Sequence, residues 1–206
     1  MNVESSMARM VDLEKRVPQN PQKAYIQIIE AFRQLVQQKE FEKISVAYLS
    51  ETANVSRKTF YQYFRDKNEV VEHIMYVDIL KPMKQMRELS GAFSMPSQTI
   101  MAWLYERIYN DRLFYSKVSS FVGQNSFREL MFAYTMMIVA EKFKPLSMTQ
   151  DEKEYSIYFY TSSHIMVLMK WIQDGMKITP QQMAVFYDKW TIPAILKYTD
   201  DESNTI

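Results

Sequence analysis

The tightest constraint on the fold is the punctuation of residues 44–75, ISVAYLSETANVSRKTFYQYFRDKNEVVEHIM. Ser45, Ser56 and Asp66 each stand just before a short stretch with apolar residues at helical spacing. Serine and aspartate suit that place because their side-chain oxygens accept hydrogen bonds from the unpaired N–H groups of a first helical turn. Val46, Leu49 and Ala53 would line the inner side of a first short helix, Phe60 and Phe64 that of a second, and Val70, Ile74 and Val77 that of a longer third. Asn54 falls between the first two, and asparagine tolerates the left-handed backbone of a sharp turn. Two short helices at a tight turn, backed by a longer one, form the tri-helical helix-turn-helix arrangement.

The flanking sequence is helical too. Tyr25, Ile28, Ile29, Phe32, Leu35 and Val36 occupy one helical face, with Asn20 as the expected cap and Pro21 in the first turn. Further helices are expected over about 67–89, 98–119, 126–143, 151–174 and 180–198, with Pro193 kinking or ending the last. No period-two alternation competes, and only 3 Gly and 7 Pro interrupt 206 residues. The expected fold is therefore all-α with about nine helices. Residues 1–19 form an arm, residues 20–68 the helix-turn-helix domain, and residues 69–206 a helical body. The arm lacks a sustained apolar period and reads as mobile, with room for one short helix.

Outward neighbours of the buried phenylalanines carry the chemistry. Ser56, Arg57, Lys58 and Thr59 open the second short helix, and Tyr61, Gln62 and Tyr63 follow. Such a helix enters the DNA major groove with its N-terminal residues toward the bases. Arginine can fork onto guanine, glutamine onto adenine, and a threonine methyl can touch thymine. Ser45, Tyr48, Tyr61, Tyr63 and Lys67 are placed for phosphate oxygens. Net charge is only +1, but Arg57, Lys58, Arg65 and Lys67 meet a single acid, Asp66, between Asn54 and Asn68. A confined basic patch on a neutral chain suits a localised polyanion contact.

Residues 44–67 resemble the signature of the TetR family of bacterial transcriptional regulators, carried by Ser45, Leu49, Ala53, Val55, Ser56, Thr59, Phe60, Tyr61, Phe64 and Lys67. The chain departs from that pattern with Asn54 at the turn glycine, Ser50 where alanine is commoner and Lys58 where a small residue is common. The C-terminal segment HIMVLMKWIQDGMKITPQQMAVF is similar to that of TetR-type regulators of low-GC Gram-positive bacteria. The resemblance implies a repressor that binds a near-palindromic operator as a homodimer. It also implies a C-terminal effector pocket, and a dimer interface built from the last two helices.

For the pocket, the aromatic and methionine-rich body offers Trp103, Tyr109, Phe127, Met131, Tyr134, Met137, Tyr160 and His164, fitted to a small apolar or aromatic effector. For the interface it offers Tyr158, Ile165, Met169, Ile172, Phe186 and Trp190. A body that meets a protein partner instead of a small molecule is the second regulatory reading. Catalysis and metal or cofactor binding find no local motif: there is no cysteine, and the two histidines, His73 and His164, sit on different helices. The N-terminal residues lack a signal-peptide core, and no apolar run reaches the ~20 residues of a membrane span. A cytoplasmic location is the corresponding expectation.

Overall fold

The computed structural model describes the backbone of residues 2–93, 97–120 and 126–200, and the side chains of residues 2–89, 98–120 and 126–190. Every regular element among them is helical. The order is α1 (Val3–Arg16), α2 (Lys23–Gln38), a 3₁₀ turn (Phe41–Lys43), α3 (Val46–Thr52), α4 (Arg57–Tyr63), α5 (Lys67–Met75), a π-turn (Tyr76–Leu80), α6 (Lys81–Phe93), α7 (Ser97–Asn110), α8 (Arg112–Ser120), α9 (Phe127–Phe143), α10 (Gln150–Gln173) and α11 (Pro180–Asp200).

The caps act as the sequence requires. Ser45 Oγ accepts from the Tyr48 N–H, Ser56 Oγ from Thr59, and Asp66 Oδ1 from Asn68 and Glu69. Asn54 takes a φ of +52°, the left-handed turn conformation. Thr149 and Glu152 close a reciprocal capping box at the start of α10. Gly175 at φ +80° and Met176 at φ +56° turn the chain after α10, and Trp171 Nε1 donates to the Ile178 carbonyl at 2.9 Å across that turn.

Several boundaries differ from expectation. The arm is a helix: Asn2 caps α1, which buries Ser6, Met10 and Leu13 and packs on α9. Its apolar residues are too sparse to show a period, yet they suffice once α9 supplies the partner surface. The start of α2 is set by Gln22 rather than Asn20. The helix expected over 98–119 divides at Asp111 into α7 and α8. Past Pro193, α11 continues to Asp200. The π-turn adds a residue to one turn of the α5–α6 rod, so Val77 faces outward while Ile79 and Leu80 face the core.

Most buried side chains form one continuous core from Met10 of α1 to Ala184 of α11. It crosses the expected boundary near residue 68 without a break, because α2 packs on α8 as well as on α3, α4 and α5. Elsewhere α7 pairs with α11, and α9 with α10. Met136, Val139, Phe143, Leu146 and Ile157 make a smaller cluster at the far end.

Candidate nucleic-acid interface

The face formed by α3 and α4 is held by an aromatic core. Phe60 and Phe64 are fully buried, with ring centroids 5.6 Å apart. Tyr25 of α2 stacks on Phe64 at 5.2 Å and meets the edge of Tyr63 at 5.9 Å. The turn itself is tied by Val55 N–H donating to the Ser50 carbonyl at 3.0 Å. Stiffness here matters because base recognition needs side chains aimed from a fixed frame.

Outward of this core, Arg57, Lys58, Tyr61 and Gln62 are all exposed, Tyr61 by 58%. Arg57 and Lys58 have no ion-pair partner among the described residues. Their charge is therefore available to a polyanion. The Thr59 and Ser56 hydroxyls lie 2.8 Å apart, so Thr59 spends its oxygen on the cap.

The remaining expected contacts have internal duties. Lys67 Nζ donates to the Phe41 and Glu42 carbonyls at 2.6 and 3.1 Å and lies over the Phe41 ring. Burial lowers its pKa. Lys67 is thus first a brace for the 3₁₀ turn. Tyr63 donates from its hydroxyl to Gln22 Oε1 at 2.6 Å, fixing the start of α2 beside α4. Tyr48 is covered by the Lys39 ammonium at 4.1 Å. Ser45 and Ser56 serve as caps.

Behind the interface lie two charged clusters that the sequence reading missed. Glu69 and Glu72 of α5 are buried and are met by Arg9 and Arg16 of α1 and by Arg65. The arm's arginines thus reach across to α5, although Arg16 also pairs with Asp12 within α1. In the second cluster, Asp78 on the π-turn gathers Arg33 of α2, Arg107 of α7 at 2.9 Å and the Tyr115 hydroxyl of α8 at 3.4 Å; Arg33 also grips Asp111. These pairs lie far apart in sequence, so no local spacing announces them.

The expected effector residues scatter. Phe127, Met131 and Tyr134 are packed core: Phe127 lies against Tyr115, and Tyr134 donates to the Leu80 carbonyl at 3.4 Å. Trp103 and Met137 pack partly buried against the same core, while Tyr109 is exposed beneath Arg112. Of the set, Tyr160 and His164 line a cleft of about 290 Å³ between α10 and α11, beside Tyr105 of α7. A second opening of about 430 Å³ lies between α8, α9 and α10, beside Arg128 and Lys170.

The expected interface residues also divide. Tyr158, Phe186 and Trp190 are exposed, whereas Ile165, Met169 and Ile172 are buried in the chain's own core. The exposed apolar positions of α10 are Tyr155, Tyr158, Phe159, Met166 and Val167. Among the described residues, no helix is long and apolar enough to cross a membrane, and no group of acids and histidines could hold a metal.

Comparison with known proteins agrees with this layout. The family model described as "Bacterial regulatory proteins, tetR family" matches residues 28–74, and "Transcriptional regulator C-terminal region" matches residues 97–190. The dhaKLM operon transcriptional activator DhaS of Lactococcus lactis is 28% identical over 91 residues, which is 44% of this chain and 46% of DhaS. That match thus spans about half the length of the curated relative. Among solved structures, a dihydroxyacetone kinase operon activator DhaS superposes with a TM-score of 0.62 at 18% identity, over 85% of this chain and 97% of the other. A TetR transcriptional regulator from Streptococcus agalactiae superposes with a TM-score of 0.55 at 16% identity, over 88% and 96%. With an N-terminal and a C-terminal model of one regulator family matched in order on the all-helical fold they describe, the chain belongs to the TetR family of bacterial transcriptional regulators.

Proposed function

We propose that the chain acts in the cytoplasm as a homodimer, docking α4 of each subunit into successive major grooves of a near-palindromic operator. The observation that carries this reading is the outward set on α4. Arg57, Lys58, Tyr61 and Gln62 project from a capped helix whose other side is locked by Phe60 and Phe64. Half-sites one helical turn apart, ~34–36 Å, require a two-fold protein. The exposed apolar residues of α10 and α11 supply the surface for it, since Tyr155, Phe159, Phe186 and Trp190 would otherwise rest in water.

The same docking serves repression or activation, because the sign depends on where the operator lies relative to the promoter. The repressor reading suggested by the sequence therefore stands beside a relative named as an operon activator. The C-terminal body is the sensor in either case. A ligand would act to the extent that it prefers one arrangement of the two DNA-reading heads. The packing of Phe127, Met131 and Tyr134 into solid core moves the sensing surface toward α10 and α11, where a small molecule or a protein partner can reach it.

Gel shift of the chain with its own upstream DNA tests the reading, alongside sedimentation of the free protein. Wild type should bind with steep salt dependence. Arg57→Ala and Tyr61→Ala should bind weakly while remaining folded. Unchanged affinity in both folded variants would overturn the assignment of α4, and a monomer at micromolar concentration would overturn the dimer.

A further inference from the structure

We propose that Lys58 is the side chain that sets operator specificity, and that it selects a guanine in each half-site through the N7 and O6 acceptors of that base's major-groove edge. This deepens the reading of α4 as the DNA-reading helix and rests on it.

The helix itself assigns the places. Successive residues of an α-helix turn by about 100°. In α4, Phe60 is fully buried, Thr59 and Tyr63 are half-buried, and Arg57, Lys58, Tyr61 and Gln62 are exposed. The inward direction thus lies between Phe60 and the side shared by Thr59 and Tyr63. Opposite it stand Lys58 and Tyr61, with Arg57 to one side and Gln62 to the other. A helix about 10–12 Å across fills a major groove about 12 Å wide. Its central outward residues therefore meet the floor of base edges, and those on its flanks meet the phosphate walls.

Chemistry then separates the side chains. The Thr59 and Tyr63 hydroxyls are already engaged, with Ser56 at 2.8 Å and with Gln22 at 2.6 Å. The Tyr61 ring stands edge-on to Phe60, with centroids 5.4 Å apart. Its hydroxyl both donates and accepts, so it discriminates little between base edges. Lys58 has no ion-pair partner among the described residues, and an ammonium only donates. Guanine presents two adjacent acceptors, whereas adenine sets a donor beside its acceptor, thymine a methyl, and cytosine offers a donor. A group that can only donate therefore favours guanine. The lysine stem also starts from a fixed place, because Tyr25 stacks on Phe64 at 5.2 Å and Gln22 ties α2 to α4.

Selection of bound duplexes from a randomised DNA pool tests the assignment, using the full chain as wild type, Lys58→Ala, Lys58→Arg and Arg57→Ala. Wild type should return a two-fold symmetric consensus with a fixed guanine in each half. Lys58→Ala should lose the preference at that position alone. Lys58→Arg should keep it, since arginine too only donates. Arg57→Ala should keep the whole consensus but bind with a shallower salt dependence, its log–log slope reduced by about 1 per subunit. On the selected duplex, 7-deazaguanine at that position removes only the N7 acceptor. It should weaken wild type roughly tenfold, and Lys58→Ala by less than about twofold. Retention of the guanine by Lys58→Ala would overturn the proposal. So would its loss in Arg57→Ala, or a wild-type consensus without guanine. A wild type that selects no consensus at all would overturn the DNA-binding reading and the proposal with it, which sets that failure apart from a wrong choice of residue.

Discussion

The Tyr25 hydroxyl lies 3.2 Å from Nδ1 of His73, buried between α2 and α5. With the ring neutral, the hydroxyl donates to Nδ1 and leaves the ring proton on Nε2, which faces the Glu69 carboxylate at 3.9 Å. The contact joins the helix-turn-helix to the rod that leads into the C-terminal body. It also makes the fold sensitive to protonation.

Burial first, and then the positive charges of Arg16 and Arg65, push the His73 pKa down to about 4. The unfolded imidazole takes up its proton near pH 6.5, and the folded one only near 4. Stability should therefore be level above about pH 6.5 and fall as pH drops from there toward 4. The slope approaches 1.4 kcal/mol per pH unit for this residue, or roughly 3 kcal/mol in all. His164 acts in the same direction. Urea midpoints at pH 7.5, 6 and 5 measure it, and His73→Phe should flatten the decline. A wild-type midpoint that stays constant from pH 7.5 to 5 contradicts the assignment.

Tyr25→Phe removes only the hydroxyl and should cost about 1–2 kcal/mol by stranding Nδ1. Tyr25→Ala also removes the ring that stacks on Phe64, and should cost about 3–5 kcal/mol. Denaturant titration reads both. Equal losses would mean that the ring carries none of the stability.

Arg57→Ala and Lys58→Ala should shift unfolding by less than about 0.5 kcal/mol, since both side chains are exposed. Lys67→Met should behave oppositely, costing about 1–3 kcal/mol by taking the ammonium away from the Glu42 carbonyl and leaving the Phe41 carbonyl to the Ile44 N–H. Comparing stability and operator affinity across the three separates DNA contact from brace. A Lys67→Met chain as stable as wild type would return Lys67 to the DNA-contact set alone.

Removal of Arg16 strips a charge from the buried Glu69 and Glu72. Arg16→Ala should cost about 1–3 kcal/mol, because Glu69 and Glu72 keep Arg65 and Arg9 but lose the guanidinium they share. The double variant Arg16→Ala, Glu69→Gln should recover part of the loss. Strictly additive effects in this cycle would show that the pair is not coupled.

The sequence by itself determined the DNA-reading unit. Its caps, its turn residue and its inward phenylalanines are local signals, settled by hydrogen bonds within a few residues of chain, and each appears in the structure where the spacing puts it. The helical class followed from the same local physics. Only the tertiary structure decided which side of an apolar helix faces in. In α10, Ile165, Met169 and Ile172 turn inward while Tyr155, Phe159 and Met166 turn outward. All are apolar or aromatic, so periodicity has no polar face to choose by; α8 and α9 make the choice by packing against one side. The long-range ion pairs of Arg16 and Asp78 were illegible for the same reason. Their partners are brought together by the packing of distant helices, and sequence distance carries no trace of it.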